Sequence, residues 1–303
     1  MPSGSAAIDV HQHLWPPELV DALRVRPTAP RLDGWTLRLP GEPDYAVDPA
    51  AHDPVLRAAR DAGHERILVS LSSPLGIEEL HPRAAEPLLA AWHDGARRLG
   101  GPFGAWASVN HVDPDLEGLA RLLSAGFVGL QIPATRVATP AGFERMAVVL
   151  RVCEQAGRPV FVHPGPAPAR PATDATVPAW WPAVVDYPAQ MLAAWWAWHA
   201  VGRALLPDLR ICFAAGAGLA PVHDERFAAR AGHPPRVDPE VFVDTSSYGR
   251  RGLGSLIQAL GIDPIVFGSD RPYAEPTDPL LGAAATYAIR VANPRRLLEG
   301  GQL

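Results

Sequence analysis

Eight short apolar runs, many of them β-branched, recur along the chain, and stretches of helical character separate nearly all of them. The runs cover residues 6–10, 67–71, 103–109, 127–132, 160–162, 210–214, 241–244 and 264–267. Amphipathic patterning predicts helices over 54–62, 84–99, 116–125, 140–156, 189–205, 253–261 and 280–291. Several of these stop at a glycine just before the next apolar run, as in DAGHERIL, SAGFVGL, QAGRPVFV and ALGIDPIVF. Glycine supplies the left-handed residue that ends a helix, so this order marks a helix-to-strand connection. Eight such units within 303 residues predict an α/β fold, the (β/α)8 or TIM-type barrel. An open doubly wound sheet is the alternative, but its first turn is more often glycine-rich. Here that turn reads HQHLWPP. Segments 25–53 and 165–186 fall outside the repeat. They are expected as loop insertions on the C-terminal face of a single domain spanning residues 1–303.

A barrel of this kind places its active site at the C-terminal ends of its strands. The first run leads into His11 and His13, the fourth ends near Gln131, and the fifth ends at His163. The sixth ends at Ala214–Ala215, the seventh at Asp244–Thr245, and the eighth at Ser269–Asp270. Side chains along a strand repeat with period two, so His11 and His13 face the same way. Two imidazoles, a third from across the barrel and a carboxylate make a shell suited to zinc or a similar divalent ion.

Composition removes other chemistries. All 27 basic side chains are arginines. Without lysine there is no Schiff-base catalysis, no Walker-type phosphate loop and no carbamylated lysine bridging two metals. A formal charge of −5 gives no electrostatic case for nucleic acid or an anionic membrane. The N-terminal residues lack a basic stretch followed by a long apolar one, and no uninterrupted apolar run reaches membrane-spanning length. A cytoplasmic protein is expected. Cys153 and Cys212 lie in apolar segments without CxxC spacing and are expected as buried thiols.

The segments IDVHQHLWPPE, RPVFVHPGP, IVFGSDRPY and RVANPRRLLE together resemble the amidohydrolase superfamily. The likeness is to the branch that includes aminocarboxymuconate semialdehyde decarboxylase. It implies one divalent metal, zinc or manganese, held by His11, His13, His163 and Asp270. Gln131 lies where a bridging lysine would be, which agrees with a single-metal site. One departure stands out: where the branch carries a histidine after the sixth strand, this chain has Ala215. His223, eight positions on, is a candidate substitute. By the same resemblance Arg226 is a candidate for binding a substrate carboxylate, in a homodimer across the interface. Arg271, Trp15 and Tyr248 are further candidates for substrate contact.

Three functions stay open at this point. The leading one is a hydrolase acting on a small cyclic or aromatic amide, lactone or carboxylate, with Asp270 taking a proton from water and returning it to the leaving group. The second is a decarboxylase or hydratase of an unsaturated or aromatic acid. The third is a non-catalytic barrel that binds a small molecule at its mouth.

Overall fold

The computed structural model describes residues 7–40, 44–168, 177–276 and 280–301. Eight parallel strands form its centre: β1 (Ala7–His13), β2 (His64–Ser70), β3 (Phe103–Ala105), β4 (Leu130–Pro133), β5 (Val160–His163), β6 (Ile211–Phe213), β7 (Val241–Asp244) and β8 (Ile265–Val266). Strand pairing runs β1–β2–β3 and β4–β5–β6–β7–β8. Two seams join these groups into a closed barrel. Between β3 and β4, the Ala107 amide donates to the Gly129 carbonyl at 2.8 Å and Gln131 donates to Ala107 at 2.9 Å. Between β8 and β1, Val10 donates to Phe267 at 2.9 Å and His13 to Arg271 at 2.7 Å. Each strand falls where an apolar run predicts one, because a strand covered on both faces reads as a continuous hydrophobic segment.

Local chemistry sets the outer helices. Helix Pro140–Gln155 starts with a proline whose missing N–H costs nothing at that position, and Thr139 accepts from the Gly142 amide at 3.1 Å. It ends ahead of Gly157, at φ 62°. Asp115 caps helix Leu116–Ser124 in the same way, accepting from Gly118 at 2.7 Å. Inside the barrel Trp106 stacks on Phe161 with ring centroids 5.2 Å apart, and its indole N–H donates to the Val10 carbonyl at 2.9 Å. A buried indole is therefore satisfied without a water. Cys153 and Cys212 are buried free thiols.

Residues 25–53 hold a small antiparallel sheet, Arg31–Asp33, Thr36–Arg38 and Tyr45–Ala46. Of the 165–186 segment, 169–176 lie outside the described residues. The rest runs through Pro182–Asp186 into helix Tyr187–Ala197. Among the described residues no helix is long and apolar enough to cross a membrane.

Candidate metal centre

His11 and His13 lie on β1, His163 ends β5, and Asp270 follows β8. Their four ligand atoms all lie within 4.8 Å of one another. The Nε2 atoms of His11 and His13 are 3.1 Å apart, and those of His13 and His163 are 3.2 Å apart. Asp270 Oδ1 lies 3.3 Å from His11 Nε2 and 3.2 Å from His13 Nε2. Ligands about 2.0–2.2 Å from a tetrahedral zinc stand roughly 3.3–3.6 Å from one another, close to these separations.

The outer partners fix how each imidazole presents itself. His11 Nδ1 lies 2.6 Å from Asp244 Oδ2, His13 Nδ1 lies 3.1 Å from the Ser70 carbonyl, and His163 Nδ1 lies 2.8 Å from the Pro164 carbonyl. Each of these partners can only accept, so each Nδ1 carries the proton. Three Nε2 lone pairs and a carboxylate oxygen are left pointing at one spot. Such a set is repulsive without a cation between its members, and it is the arrangement that metal-ligating histidines adopt. The donors therefore fit one divalent ion.

Electrostatics favour the metal-binding forms of His13, His163 and Asp270, with His11 the exception. Burial, reinforced by the neighbouring histidines, pulls His163 well below the usual imidazole range. Burial also lowers His13. For His11 burial opposes the charge, but Asp270 and Asp244 outweigh it and raise its pKa. Burial would raise Asp270, yet His11 and His13 hold it down to about 2, so it is a carboxylate at any ordinary pH.

Asp244, at the end of β7, had no assigned role in the sequence reading. It is fully buried, and Oδ1 accepts from the Ala215 amide at 2.7 Å, the Ser246 amide at 3.0 Å and the Ser246 hydroxyl at 2.7 Å. One carboxylate thus orients His11 and anchors the loop after β6. Space beside it is tight. A Cβ on Gly268 would sit 2.8 Å from Asp244 Oδ2 and 2.9 Å from His11 Cβ. Arg57, also missed, is buried beneath β1, donating to the His13 and Ala51 carbonyls at 2.8 Å and to the Gln12 side chain. An acidic residue closing the run VFVD was a usable sequence signal for Asp244. Arg57 gave none, since nothing in the chain tells which helix face it occupies.

Above the donors opens a cavity of about 1090 Å³. Trp15 and Tyr248 line it, with Ser72, Ser246, Tyr273 and Ala215. Trp15 donates its indole N–H to Ser72 Oγ at 3.0 Å, and Ser72 Oγ lies 3.4 Å from the Tyr273 hydroxyl. Three expected substrate contacts are not brought there within the chain. Arg271 is drawn into ion pairs with Asp61 and, at 3.3 Å, Glu275. Arg226 and His223 are exposed and do not line the cavity. The inward side of helix Asp224–Ala231 is set by Phe227 stacking on Trp196, with centroids 4.9 Å apart, which turns Arg226 outward. His223 does not replace the missing side chain at Ala215. His111 is half-buried, with its amide donating to the Glu78 carbonyl at 2.8 Å, and it also lies outside the lining.

Ala215 opens a run of left-handed residues through Leu219, with φ between 47° and 62°. L-residues pay about 1–2 kcal/mol each for that conformation. A Cβ at Gly218 within it would meet the Pro188 carbonyl oxygen at 2.3 Å, so only glycine fits.

Solved structures share this architecture. The chain is similar to 2,6-dihydroxybenzoate decarboxylase from Rhizobium, at 19% identity and a TM-score of 0.68, covering 97% of this chain and 99% of that one. It is similar to 5-carboxyvanillate decarboxylase from Sphingomonas paucimobilis, at 17% identity and a TM-score of 0.71, with coverage of 97% and 99%. A third is 5-carboxyvanillate decarboxylase from Novosphingobium aromaticivorans, complexed with manganese and 4-hydroxy-3-methoxy-5-nitrobenzoic acid, at 16% identity and a TM-score of 0.64, with coverage of 98% and 97%. At such identities the likeness establishes the TIM-barrel fold. No curated protein sequence gives a match. The sequence profile of the amidohydrolase family, by contrast, matches residues 8–298, a span that contains all four donors. The chain belongs to the amidohydrolase family of metal-dependent enzymes.

Proposed function

We propose that the protein is a metal-dependent decarboxylase of an aromatic or unsaturated carboxylic acid. One observation carries the reading. Among the described residues that line the cavity there are two carboxylates, Asp44 and Asp270, and no arginine. Among the described lining residues an acidic substrate finds its positive partner only at the donor cluster, which puts the carboxyl group at the chemistry and the rest of the molecule against apolar wall. That the similar folds are decarboxylases supports the same choice, and the one complexed with manganese supports that ion beside zinc.

When bound, a divalent ion there supplies Lewis-acid polarisation and a charge partner for an anionic oxygen. The chain's own residues do the rest. The buried Leu75 adds apolar wall that limits water in the cavity, and a poorly solvated carboxylate loses carbon dioxide more readily because its charge disperses. The carbon that loses the carboxyl group needs a proton. Asp270, ionised at rest, takes one from a neighbouring hydroxyl of the substrate and returns it to that carbon.

A second reading, hydrolysis of a lactone or amide, is favoured by that same ionised Asp270, which suits a base acting on water. Ala215 offers no second base for either route. The test is to load the protein with manganese or zinc and offer hydroxybenzoic acids beside aryl lactones and anilides. Carbon dioxide release that disappears in Asp270→Asn supports decarboxylation. Acid release from a lactone without carbon dioxide from any acid would replace it with hydrolysis. Neither product from fully loaded protein would favour a ligand-binding barrel.

A further inference from the structure

The cavity is larger than a one-ring acid requires. Its volume of about 1090 Å³ lies just above the ~300–1,000 Å³ range that encloses a drug-sized molecule. The excess has a clear origin in the chain. Strand ends supply the donors and the hydroxyl-bearing floor, whereas the two insertions supply apolar wall: Leu37, Leu39 and Tyr45 from the first, and Val177, Ala183 and Val184 from the second. Val184 is 61% exposed and Tyr45 54% exposed, although both line the cavity. Apolar side chains left open on the inside of a cleft are surface that a bound apolar group would cover. The outer wall also carries Asp44, whose only described ion pair is with Arg38 at 3.5 Å.

From these features we infer that the substrate carries a single acidic group on a large uncharged body. That body is a long alkyl substituent or a second ring, seated between the two insertions, and it has no second anionic group at its far end. The inference rests on the decarboxylase reading for the acidic group, but not for the chamber. Anionic charge at the outer end would face Asp44 with no described basic residue of the lining to offset it. Apolar length is rewarded, because each methylene moved from water into the chamber tightens binding about fourfold.

The test uses metal-loaded protein and two ligand series, followed by calorimetric binding and by product formation. The first series is 2-hydroxybenzoic acids bearing alkyl chains from methyl to heptyl, and the second is the matching neutral aryl lactones. Affinity should rise about threefold to fourfold per methylene over the first several carbons. A terminal carboxylate on the longest chain should weaken binding, and Asp44→Asn should recover part of that loss, up to about fivefold for an exposed charge pair. Ala183→Trp, a change at an exposed position of that wall, should flatten the gradient by weakening heptyl more than methyl. Equal affinity along both series, or tightest binding by the methyl members, would overturn the chamber. A length gradient in both series without carbon dioxide release would keep the chamber and defeat decarboxylation. Carbon dioxide release without a gradient would do the reverse.

Discussion

Replacing Asp244 by asparagine should disable the metal centre while leaving the barrel folded. The side chain keeps its size, so the outcome depends on where the new amide nitrogen goes. At the Oδ1 position it would face the Ala215 and Ser246 amides and the Ser246 hydroxyl, three groups that now donate to that oxygen at 2.7–3.0 Å. The amide oxygen must stay there, which turns the NH2 toward His11 Nδ1. Nδ1 then has to accept, its proton moves to Nε2, and Nε2 presents a hydrogen to the ion instead of a lone pair. Loss of an outer partner of this kind weakens metal binding about 10–100-fold. That corresponds to about 1.4–2.7 kcal/mol. Competition of zinc or manganese against a chelating dye measures it directly, with thermal unfolding of the metal-free protein as control. Ser246→Ala removes one donor to Oδ1 without touching the tautomer and should change affinity less than threefold. An unchanged Kd in Asp244→Asn would refute the tautomer argument.

Gly268→Ala should lower both Tm and metal affinity, since its Cβ would press on Asp244 and His11 at 2.8–2.9 Å. Overpacking of this sort costs about 1–3 kcal/mol, readable by denaturant unfolding. Removing the ion with a chelator should abolish turnover and lower Tm, and adding zinc or manganese back at 100 times Kd should restore about 2.7 kcal/mol. Glu78 gives a pH signature of its own. It is fully buried, Ser73 and Ser108 donate to Oε1 at 2.7 and 3.2 Å, and burial pushes its pKa from 4.5 up to about 7. Its unfolded form ionises first, so the native state loses stability as pH climbs from about 4.5 to about 7 and loses no more above that. Glu78→Gln should remove up to about 3 kcal/mol of that decline. Unfolding free energies of the two proteins at pH 5 and pH 8 check it, and parallel profiles would contradict it.

Strand positions were readable because a fully covered strand announces itself as an apolar run, and the ligand set because a barrel forces strand ends to converge. Both arguments use backbone direction and side-chain alternation, which sequence carries. Arg226, His223 and Arg271 lie away from the cavity within the chain for a different reason. Each is a polar residue near an element end, and its direction depends on packing elsewhere: Phe227 on Trp196 for the first two, and Asp61 beneath β1 for the third. Arg57 shows the converse case, a cation on a short helix that reads as solvent-facing yet is buried against the His13 carbonyl. Ala215 was legible as a missing histidine. The left-handed turn it opens was not, because only two of its five residues are glycines.

The seam between β8 and β1 has a bearing on how the protein matures. Asp270 donates its amide to the His11 carbonyl at 2.8 Å, so ligands from opposite ends of the sequence meet across this seam. During synthesis the two histidines of β1 emerge early and wait, unable to complete a site until the final strand docks beside them. An ion captured at that moment acts as a clasp on the longest loop in the chain, where restricting the open ring removes the most disorder. Metal uptake should therefore report closure of this seam, and follow the collapse that precedes it.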